Sequence, residues 1–408
     1  MKSANTVAIV SVADHETLDE AVAAALSMIE ADKTIQPEDS VLFKPNLLIR
    51  IKNACTESDF LASTARYVKQ YATDLKVGDS PGQFRHRARS VMKAVGMDEV
   101  VEAEGLEYAE FESGGILITN NEARHMRHQH IARPVMEADC LINLCRPKSH
   151  IEAVYTGAVK NYWGIIPGGE KANCHLLGKN PEQFGEVLVD NYQALLNQNK
   201  KRIVVMDARR FMEGPGGPAN GYMRKVGLIL AGYDEVAIDL VMLAIGGRDG
   251  LKSVPHLRAC RKRRIGLTSL NDINIVGKSI EAVRLKRKVA ITSSLTANIL
   301  NNFIIRTLSY KMMRRMPALP DKDDCVMCGD CFHICPNNAI TWHKNQPPVF
   351  NPKRCVSCLC CVECCPQQAL VAKAAGLSGL FLKYPRIIIP PDNPPDNKPD
   401  NHPDNHPD

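Results

Sequence analysis

Eight cysteines near the end of the chain follow one spacing twice, and this repeat constrains the fold more than any other feature. Each copy has three cysteines separated by two residues, then a fourth after three more residues, followed by proline. The copy that begins at Cys355 repeats the one that begins at Cys325. Three closely spaced thiolates suit one iron cubane, and the fourth is turned toward the other cubane. The spacing predicts two [4Fe-4S] clusters, one held by Cys325, Cys328, Cys331 and Cys365 and one by Cys355, Cys358, Cys361 and Cys335.

This repeat resembles the bacterial two-cluster ferredoxins over about 50 residues. A zinc site and a disulfide framework are the alternatives. Zinc ribbons use two CxxC pairs rather than a doubled run that ends in proline. Disulfides need an oxidising compartment, and the N-terminus leads into a strand-like run rather than a signal peptide. Cys360 and Cys364 fall outside the ligand spacing, so we expect them to pack rather than to bind iron.

Composition and charge limit the class of protein. A chain of 408 residues that is 45% hydrophobic suffices for two or three domains with a sizeable core. Ten of the 15 cysteines lie between residues 325 and 365, and the five scattered ones favour a reducing, cytoplasmic location. No apolar run of about 18 residues is present, so no membrane-spanning helix is expected. Residues 251–316 carry 15 Lys and Arg against 2 Asp and Glu, whereas the whole chain has a net charge of only +6.

Over the first 250 residues, apolar runs typical of strands alternate with segments whose apolar residues recur at helical spacing. This alternation indicates parallel βαβ units and predicts a three-layer α/β domain with a mostly parallel sheet at 1–250. A basic connector at 251–318, a small α+β two-cluster ferredoxin-like domain at 319–375 and a disordered Pro-Asp-Asn tail at 390–408 follow it. Strands are predicted at 6–12, 41–45, 75–79, 140–145, 203–207 and 273–276, and helices at 18–29, 60–71, 184–196 and 235–245.

The basic connector contains a predicted amphipathic helix from Leu295 to Met313. Its apolar residues recur every four positions, which favours packing between the two domains, and basic residues suit its C-terminal end. The alternative is a basic surface that docks an acidic redox partner or associates weakly with an anionic membrane surface. Nucleic-acid binding is not expected, because no recognition motif accompanies the charge and aromatic residues make up only 5% of the chain.

Polar side chains follow several predicted strands at their carboxyl ends. In open α/β sheets the ligand crevice lies beyond these ends, so we expect the side chains to converge there. Each one alone is also an ordinary cap or turn residue. The predicted crevice residues at strand ends are Lys44, Asn46, Asp79, Ser80, Lys148, His150 and Asp207.

Basic, amide and glycine positions alternate between residues 146 and 175, with few acids among them. Glycines let backbone N–H groups approach an anion, so the stretch predicts an anion-binding crevice. The alternative is a structural loop with solvated lysines. Neither a Walker loop nor a GxGxxG fingerprint is present. The stretch adds Lys160, Asn161, Lys171 and His175 to the predicted ligand-binding residues.

Two acidic residues are candidates for general acid–base chemistry. Asp207 ends a predicted strand, and Glu213 lies on the Gly/Pro-rich loop that follows it. With His150 or His175 they could transfer protons at the same crevice. The alternative for Glu213 is a surface turn.

Six short segments spread over residues 5–250 match one family pattern. They are Phe43–Leu47, Gly78–Gly82, Pro147–His150, Thr156–Asn161 with Gly164, Met212–Pro215 and Asp234–Asp239. Together they resemble domain of unknown function family 362, DUF362, whose members often carry a two-cluster ferredoxin module at the C-terminus. The resemblance implies a redox or cluster-associated role without a settled reaction. Residues 146–150 depart from the pattern, since similar members tend to have another Lys and a Thr around the Pro-Lys pair.

These features favour an iron–sulfur protein that transfers single electrons to or from a substrate or partner at the anion-binding crevice. Such a protein would be an oxidoreductase, with a redox partner protein or a small anionic substrate. One alternative is an electron-transfer adaptor without a catalytic site of its own. Another is a non-redox α/β enzyme that carries a structural or sensing cluster module. Because the sequence shows no second cofactor motif, it leaves the enzyme assignment open.

Overall fold

The computed structural model describes most of the chain outside the connector helix and the tail. The predicted helix at 295–313 and the predicted disordered tail at 390–408 lie outside the described residues, as do Cys358 and His175. The described residues are 5–82, 88–112, 114–150, 152–168, 170–174, 177–178, 180–214, 221–291, 315–319, 321–335, 337–355, 360–363, 365, 367 and 369–374.

Twelve strands are described in the first 291 residues. They are β1 (Thr6–Ser11), β2 (Ser40–Lys44), β3 (Asp74–Val77), β4 (Glu107–Tyr108), β5 (Gly115–Thr119), β6 (His128–Ala132), β7 (Cys140–Cys145), β8 (Lys148–His150), β9 (Val154–Thr156), β10 (Lys201–Glu213), β11 (Tyr222–Gly232) and β12 (Asn274–Gly277). Within this part of the chain ten of them form one sheet, and β5 and β6 form a separate antiparallel hairpin.

The sheet is mostly parallel. Its order is β12-β1-β11-β10-β7-β2-β3-β4, and β8 pairs with both β10 and β9. Parallel pairing joins β12 to β1 and every neighbouring pair from β10 to β4, whereas β11 runs antiparallel to both β1 and β10. The predicted α/β class with a mostly parallel sheet is therefore confirmed.

Helices cover both faces of this sheet. They are α1 (Leu18–Met28), α2 (Ser58–Val68), α3 (Ala88–Val95), α4 (Asp98–Ala103), α5 (Arg133–Glu137), α6 (Ala158–Asn161), α7 (Glu170–Cys174), α8 (Pro181–Leu196), α9 (Glu235–Ile245), α10 (Gly250–Ser253), α11 (Pro255–Arg263) and α12 (Ile280–Val283). Buried side chains of α1, α2 and α3 pack on one face, and those of α6, α8, α9 and α11 pack on the other. The domain thus has the three layers that the alternating pattern predicts.

Side-chain caps explain where two of the predicted helices begin. Asn180 Oδ1 accepts a hydrogen bond of 2.9 Å from the Gln183 backbone N–H at the start of α8. Asp234 Oδ1 accepts one of 2.8 Å from the Ala237 N–H at the start of α9. Each cap satisfies an otherwise unpaired helix donor and stabilises the helix by about 1 kcal/mol.

The long antiparallel ribbon of β10 and β11 differs from the sequence prediction. The apolar pattern marks only residues 203–207 as a strand, because Arg209 and Arg210 interrupt it. In the structure β10 continues to Glu213, with a register shift against β11 between Ala208 and Arg210. Pairing with β11 holds this charged segment extended, which is a tertiary effect that local composition does not reveal.

The sheet continues past residue 250, where the sequence places the end of the first domain. β12 pairs in parallel with β1 and extends the sheet at that edge. The helix α11 packs against α8, and its Leu257 and Cys260 are fully buried. The basic residues after position 250 therefore lie partly on elements that belong to the α/β core.

A small second domain holds the cysteine repeat. Its described elements are β13 (Arg315–Ala318), α13 (Asp330–His333), β14 (Ile340–Thr341), β15 (Val349–Phe350), α14 (Cys360–Glu363) and β16 (Val371–Ala374). β13 pairs with β16 and β14 with β15, each antiparallel. The two helices start at equivalent positions of the two copies, so the sequence repeat is also a structural repeat.

Candidate functional site

A cavity of about 70 Å³ lies beyond the carboxyl ends of β2 and β3, where the predicted crevice is expected. Six of the predicted ligand-binding residues line it, together with residues of the second domain. The polar lining residues are Asn46, Asp79, Ser80, Thr156, Lys160, Asn161 and Lys171, and the others are Leu47, Leu48, Ile49, Gly82, Trp163, Gly164, Ile334 and Cys360.

A buried ion pair forms one wall of the cavity. Lys44 Nζ lies 2.6 Å from Asp79 Oδ1, and Asp79 Oδ2 accepts a hydrogen bond of 2.7 Å from the Leu47 N–H. Burial raises the pKa of Asp79, opposed by the charges of Lys44 and Lys171, and burial lowers the pKa of Lys44. A Cβ on Gly164 would lie 2.0 Å from Asp79 Oδ1, so this position requires glycine. The pair is therefore held rigidly, and its two charges largely cancel.

A chain of amide hydrogen bonds orients the side chains at the centre of the crevice. Asn46 Nδ2 donates to Asn161 Oδ1 at 3.0 Å, and Asn161 Nδ2 donates to Asn143 Oδ1 at 2.7 Å. Lys148 Nζ donates to Asn46 Oδ1 and, at 2.6 Å, to the Ala54 carbonyl. Since Lys148 can only donate, it requires the oxygen of Asn46 on its side and the amide nitrogen on the other. The chain thereby fixes the orientation of the Asn46 and Asn161 amides in the crevice.

Two buried lysines have ammonium groups that titrate near neutral pH. Burial lowers the pKa of Lys148 to about 7 and that of Lys171 to about 7. Lys171 Nζ donates to the carbonyl oxygens of Ser80 and, at 2.6 Å, Pro81. Both lysines thus bond to neutral oxygens, which offset burial of the positive charge only in part. An anion in the cavity would favour their charged forms.

Asp239 positions the short helix α6 that carries Lys160 and Asn161. Its carboxylate accepts hydrogen bonds from the backbone N–H groups of Ala158 at 2.7 Å and Val159 at 3.1 Å. Burial raises the pKa of Asp239 to about 7, and these two donors oppose the rise. Sequence reasoning places Asp239 only in the family pattern, because a cap supplied from a distant helix leaves no local signal.

Of the predicted ligand-binding and catalytic residues that the structure describes, five do not line the cavity: Lys44 and Lys148, which lie beside it, and His150, Asp207 and Glu213. His150 Nδ1 accepts from the N–H groups of Glu152 and Ala153 at 3.1 and 3.0 Å. Asp207 pairs with Arg209 at 2.9 Å, inside β10 rather than at its end. Glu213 pairs with Arg287 and accepts from the Ala290 N–H at 2.9 Å. The catalytic roles of Asp207 and Glu213 remain predictions, and their contacts are those of structural ion pairs.

Four cysteines from both copies of the repeat line a second cavity of about 20 Å³. They are the predicted first set, Cys325, Cys328, Cys331 and Cys365. Burial raises the pKa of Cys331 to about 12, and the neighbouring thiols of Cys328, Cys365 and Cys325 add to the rise. Such mutual repulsion is relieved when iron binds the thiolates, so this donor set fits a cluster. Among the described residues, no group of three or more His, Cys, Asp and Glu side chains has the arrangement needed to hold a single metal ion.

Two cysteines of the predicted second set, Cys335 and Cys361, stand next in the chain to residues that line the crevice cavity. Cys361 is buried on α14, and Cys335 Sγ accepts a hydrogen bond of 3.2 Å from the Ala339 N–H. Their chain neighbours Cys360 and Ile334 line the crevice cavity of the α/β domain. Cys360 also packs in the core of the small domain, in the position expected of a cysteine outside the ligand spacing. Sequence reasoning missed that this cysteine and Ile334 complete the crevice.

Family comparison agrees with this two-part architecture. A model for a domain of unknown function, DUF362, matches residues 41–244, which is half of the chain. The chain belongs to the DUF362 family. A model for a 4Fe-4S binding domain matches residues 318–341, so this DUF362 protein is an iron–sulfur protein.

Two known proteins are similar to this DUF362 protein. A thylakoid-associated protein of Synechocystis sp. is 33% identical over 237 residues, which are 57% of this chain and 70% of that protein. The lactate racemase apoprotein of Thermoanaerobacterium thermosaccharolyticum is 13% identical with a TM-score of 0.38, covering 57% of this chain. The chain spans about half of that racemase, 54% of its length. Among the residues described here, no helix has the length and apolar character needed to cross a membrane.

Proposed function

We propose that this DUF362 protein holds two [4Fe-4S] clusters and transfers single electrons between a redox partner protein and a small anionic substrate bound at the crevice. It would act as an iron–sulfur oxidoreductase in the reducing cytoplasm. The observation that carries this proposal is the shared cavity, because Ile334 and Cys360 line it together with Lys160 and Asn161. A substrate bound there would contact the domain that carries the cysteine repeat.

The two predicted ligand sets differ in their surroundings, which supports an order of electron transfer. Cys328 of the first set is exposed, and Val326 beside it is 59% exposed. The second set includes Cys335 and Cys361, whose chain neighbours line the crevice. A bound cluster accepts or donates one electron at a time. The first set would therefore exchange electrons with the partner, and the second set with the substrate.

The side chains of the crevice bind and orient the substrate in this scheme. Lys160 and Lys171 attract its negative charge, and Asn161, whose amide N–H groups bond to Asn143 Oδ1 and to the Lys44 carbonyl, keeps the wall of the crevice in place. The apolar side chains of Trp163, Leu48 and Ile334 line the cavity and reduce access of water to it. In such a partly dehydrated site the lysine charges act more strongly than in water.

Anion binding and cluster potentials together test the proposed function. Sulfate in the crevice places negative charge beside the nearer cluster and makes its reduction less favourable. We expect sulfate to lower the potential of one cluster in the anaerobic full-length protein, measured by redox titration with electron paramagnetic resonance. The Lys160→Gln variant should lower the same potential without sulfate. If neither cluster responds to sulfate or to the substitution, the crevice is not coupled to the clusters.

A further inference from the structure

The hydroxyl group of Thr156 lacks a hydrogen-bond partner within the described residues, although it is buried. Thr156 ends β9, is 4% exposed and lines the crevice cavity. A buried polar group that stays unpaired costs about 1–3 kcal/mol. Its Oγ1 atom is therefore a donor or acceptor available to whatever occupies the cavity.

The charges around the cavity indicate the sign and size of that occupant. Asp79 is the one acidic residue among the described lining residues, and Lys44 already pairs with it. Lys148 and Lys171 bond to amide and carbonyl oxygens, and neither forms an ion pair in the part of the chain that the structure describes. With Lys160 on the lining as well, the lysines in and beside the cavity outnumber its one described carboxylate, which favours a ligand with more than one negative charge.

We infer that the crevice binds a small oxyanion group with two negative charges, such as a phosphate or sulfate group, and that Thr156 Oγ1 donates a hydrogen bond to one of its oxygens. The inference rests on the proposed function only in that the substrate occupies this crevice. The cavity of about 70 Å³ leaves room for a group of this size. Thr156 is the cross-strand partner of Lys148 in the β8–β9 pair, so the two side chains lie on the same face of that pair.

Sulfate is a suitable probe, because it stays doubly charged across neutral pH. Its affinity for the anaerobic, cluster-loaded full-length protein is measured by isothermal titration calorimetry at constant ionic strength. Methanesulfonate has nearly the same shape and one charge less. Thr156→Val removes the hydroxyl at nearly constant volume, and Thr156→Ser restores it. Thr64→Val is a matched control, since the buried Thr64 hydroxyl bonds to the Phe60 carbonyl inside α2, away from the cavity.

The inference makes definite predictions for these proteins. Sulfate should bind the wild type at least about tenfold more tightly than methanesulfonate. Thr156→Val should weaken sulfate binding about tenfold or more, as expected for a hydrogen bond to a charged group. Thr156→Ser and Thr64→Val should bind sulfate within about threefold of the wild type. Equal binding of the two anions, undetectable sulfate binding, or unchanged affinity in Thr156→Val at full iron content would overturn the inference.

The same measurements separate this inference from the proposed function. Binding is measured in the oxidised resting protein without a reductant, so it does not depend on electron transfer. If sulfate binds selectively but does not change the reduction potential of either cluster, only the electron-transfer role is rejected. Loss of selectivity for sulfate, with potentials that still respond to Lys160→Gln, would reject only the dianion inference.

Discussion

At the scale of single residues, burial matters more than residue type in this crevice. Four lysines lie in or beside the cavity, yet they have different roles. Lys44 is neutralised by Asp79, whereas Lys148 and Lys171 bond to uncharged oxygens and have pKa values lowered to about 7. Binding of an anion in the crevice is therefore coupled to protonation of these lysines near neutral pH.

Sulfate affinity should fall as the pH rises through about 7. Below this pH Lys148 and Lys171 are protonated in the free protein, and above it they must take up protons when the anion binds. Lys171→Met should weaken binding and flatten the pH dependence, because one of the two titrating groups is gone. Calorimetry between about pH 6 and pH 8 measures both effects, since sulfate does not titrate there. The same affinity across this range would contradict the assigned lysine pKa values.

At the scale of elements, two short helices, α6 and α14, carry residues of the crevice. The helix α6 presents Lys160 and Asn161, and a carboxylate on α9 caps its first turn. The helix α14 carries Cys360, which lines the crevice, and Cys361, which is predicted to bind the second cluster. Neither helix is long enough to be stable alone, so both depend on tertiary contacts.

Replacing the capping carboxylate should affect both stability and anion binding. Asp239→Asn replaces an acceptor that serves two backbone N–H groups by an amide, and we expect a loss of about 1–3 kcal/mol in the free energy of unfolding. Sulfate affinity should fall as well, since Lys160 and Asn161 shift with α6. Asp234→Asn is the control, because Asp234 accepts from Ala237 and Leu267 at the start of α9 instead. Equal losses of affinity in both variants would show that α6 is not positioned in this way.

The assignment of the fourth cysteine of each copy to the cluster of the other copy gives a second prediction at this scale. Cys335 precedes the proline of the first copy but is assigned to the cluster of the second copy. Cys335→Ser should therefore lower the iron content from about eight to about four and remove the signal of the cluster near the crevice. Iron and sulfide analysis with electron paramagnetic resonance measures this. Cys360→Ser should keep about eight irons, and an equal loss there would place Cys360 among the ligands.

At the scale of the whole molecule, the arrangement of the two domains matters most. The α/β domain has its own cores on both faces of its sheet, and the small domain has a separate core. The crevice cavity is lined by residues of both. Neither domain alone therefore has the complete site.

Removing the small domain should separate binding from electron transfer. A chain that ends near residue 320 should fold, because the α/β cores are intact, and should still bind sulfate, about tenfold more weakly without the wall formed by Ile334 and Cys360. It should accept no electrons from a reduced donor. Adding the isolated small domain should restore little, since docking is no longer intramolecular. Undiminished electron transfer by the shortened chain would mean that the clusters are not the electron source.

The local pattern of the sequence determined the cysteine repeat and the mostly parallel α/β class, and it marked six of the seven polar residues that line the crevice cavity. Thiolate spacing and strand–helix alternation are short-range features, and strand ends meet at one edge of any parallel sheet. Only the tertiary structure decided that β10 extends past Asp207, since pairing with β11 overrides its charged residues. It also decided that Asp239 caps α6 and that Cys360 reaches the crevice. Such contacts join residues far apart in the chain, so they cannot be predicted from local composition.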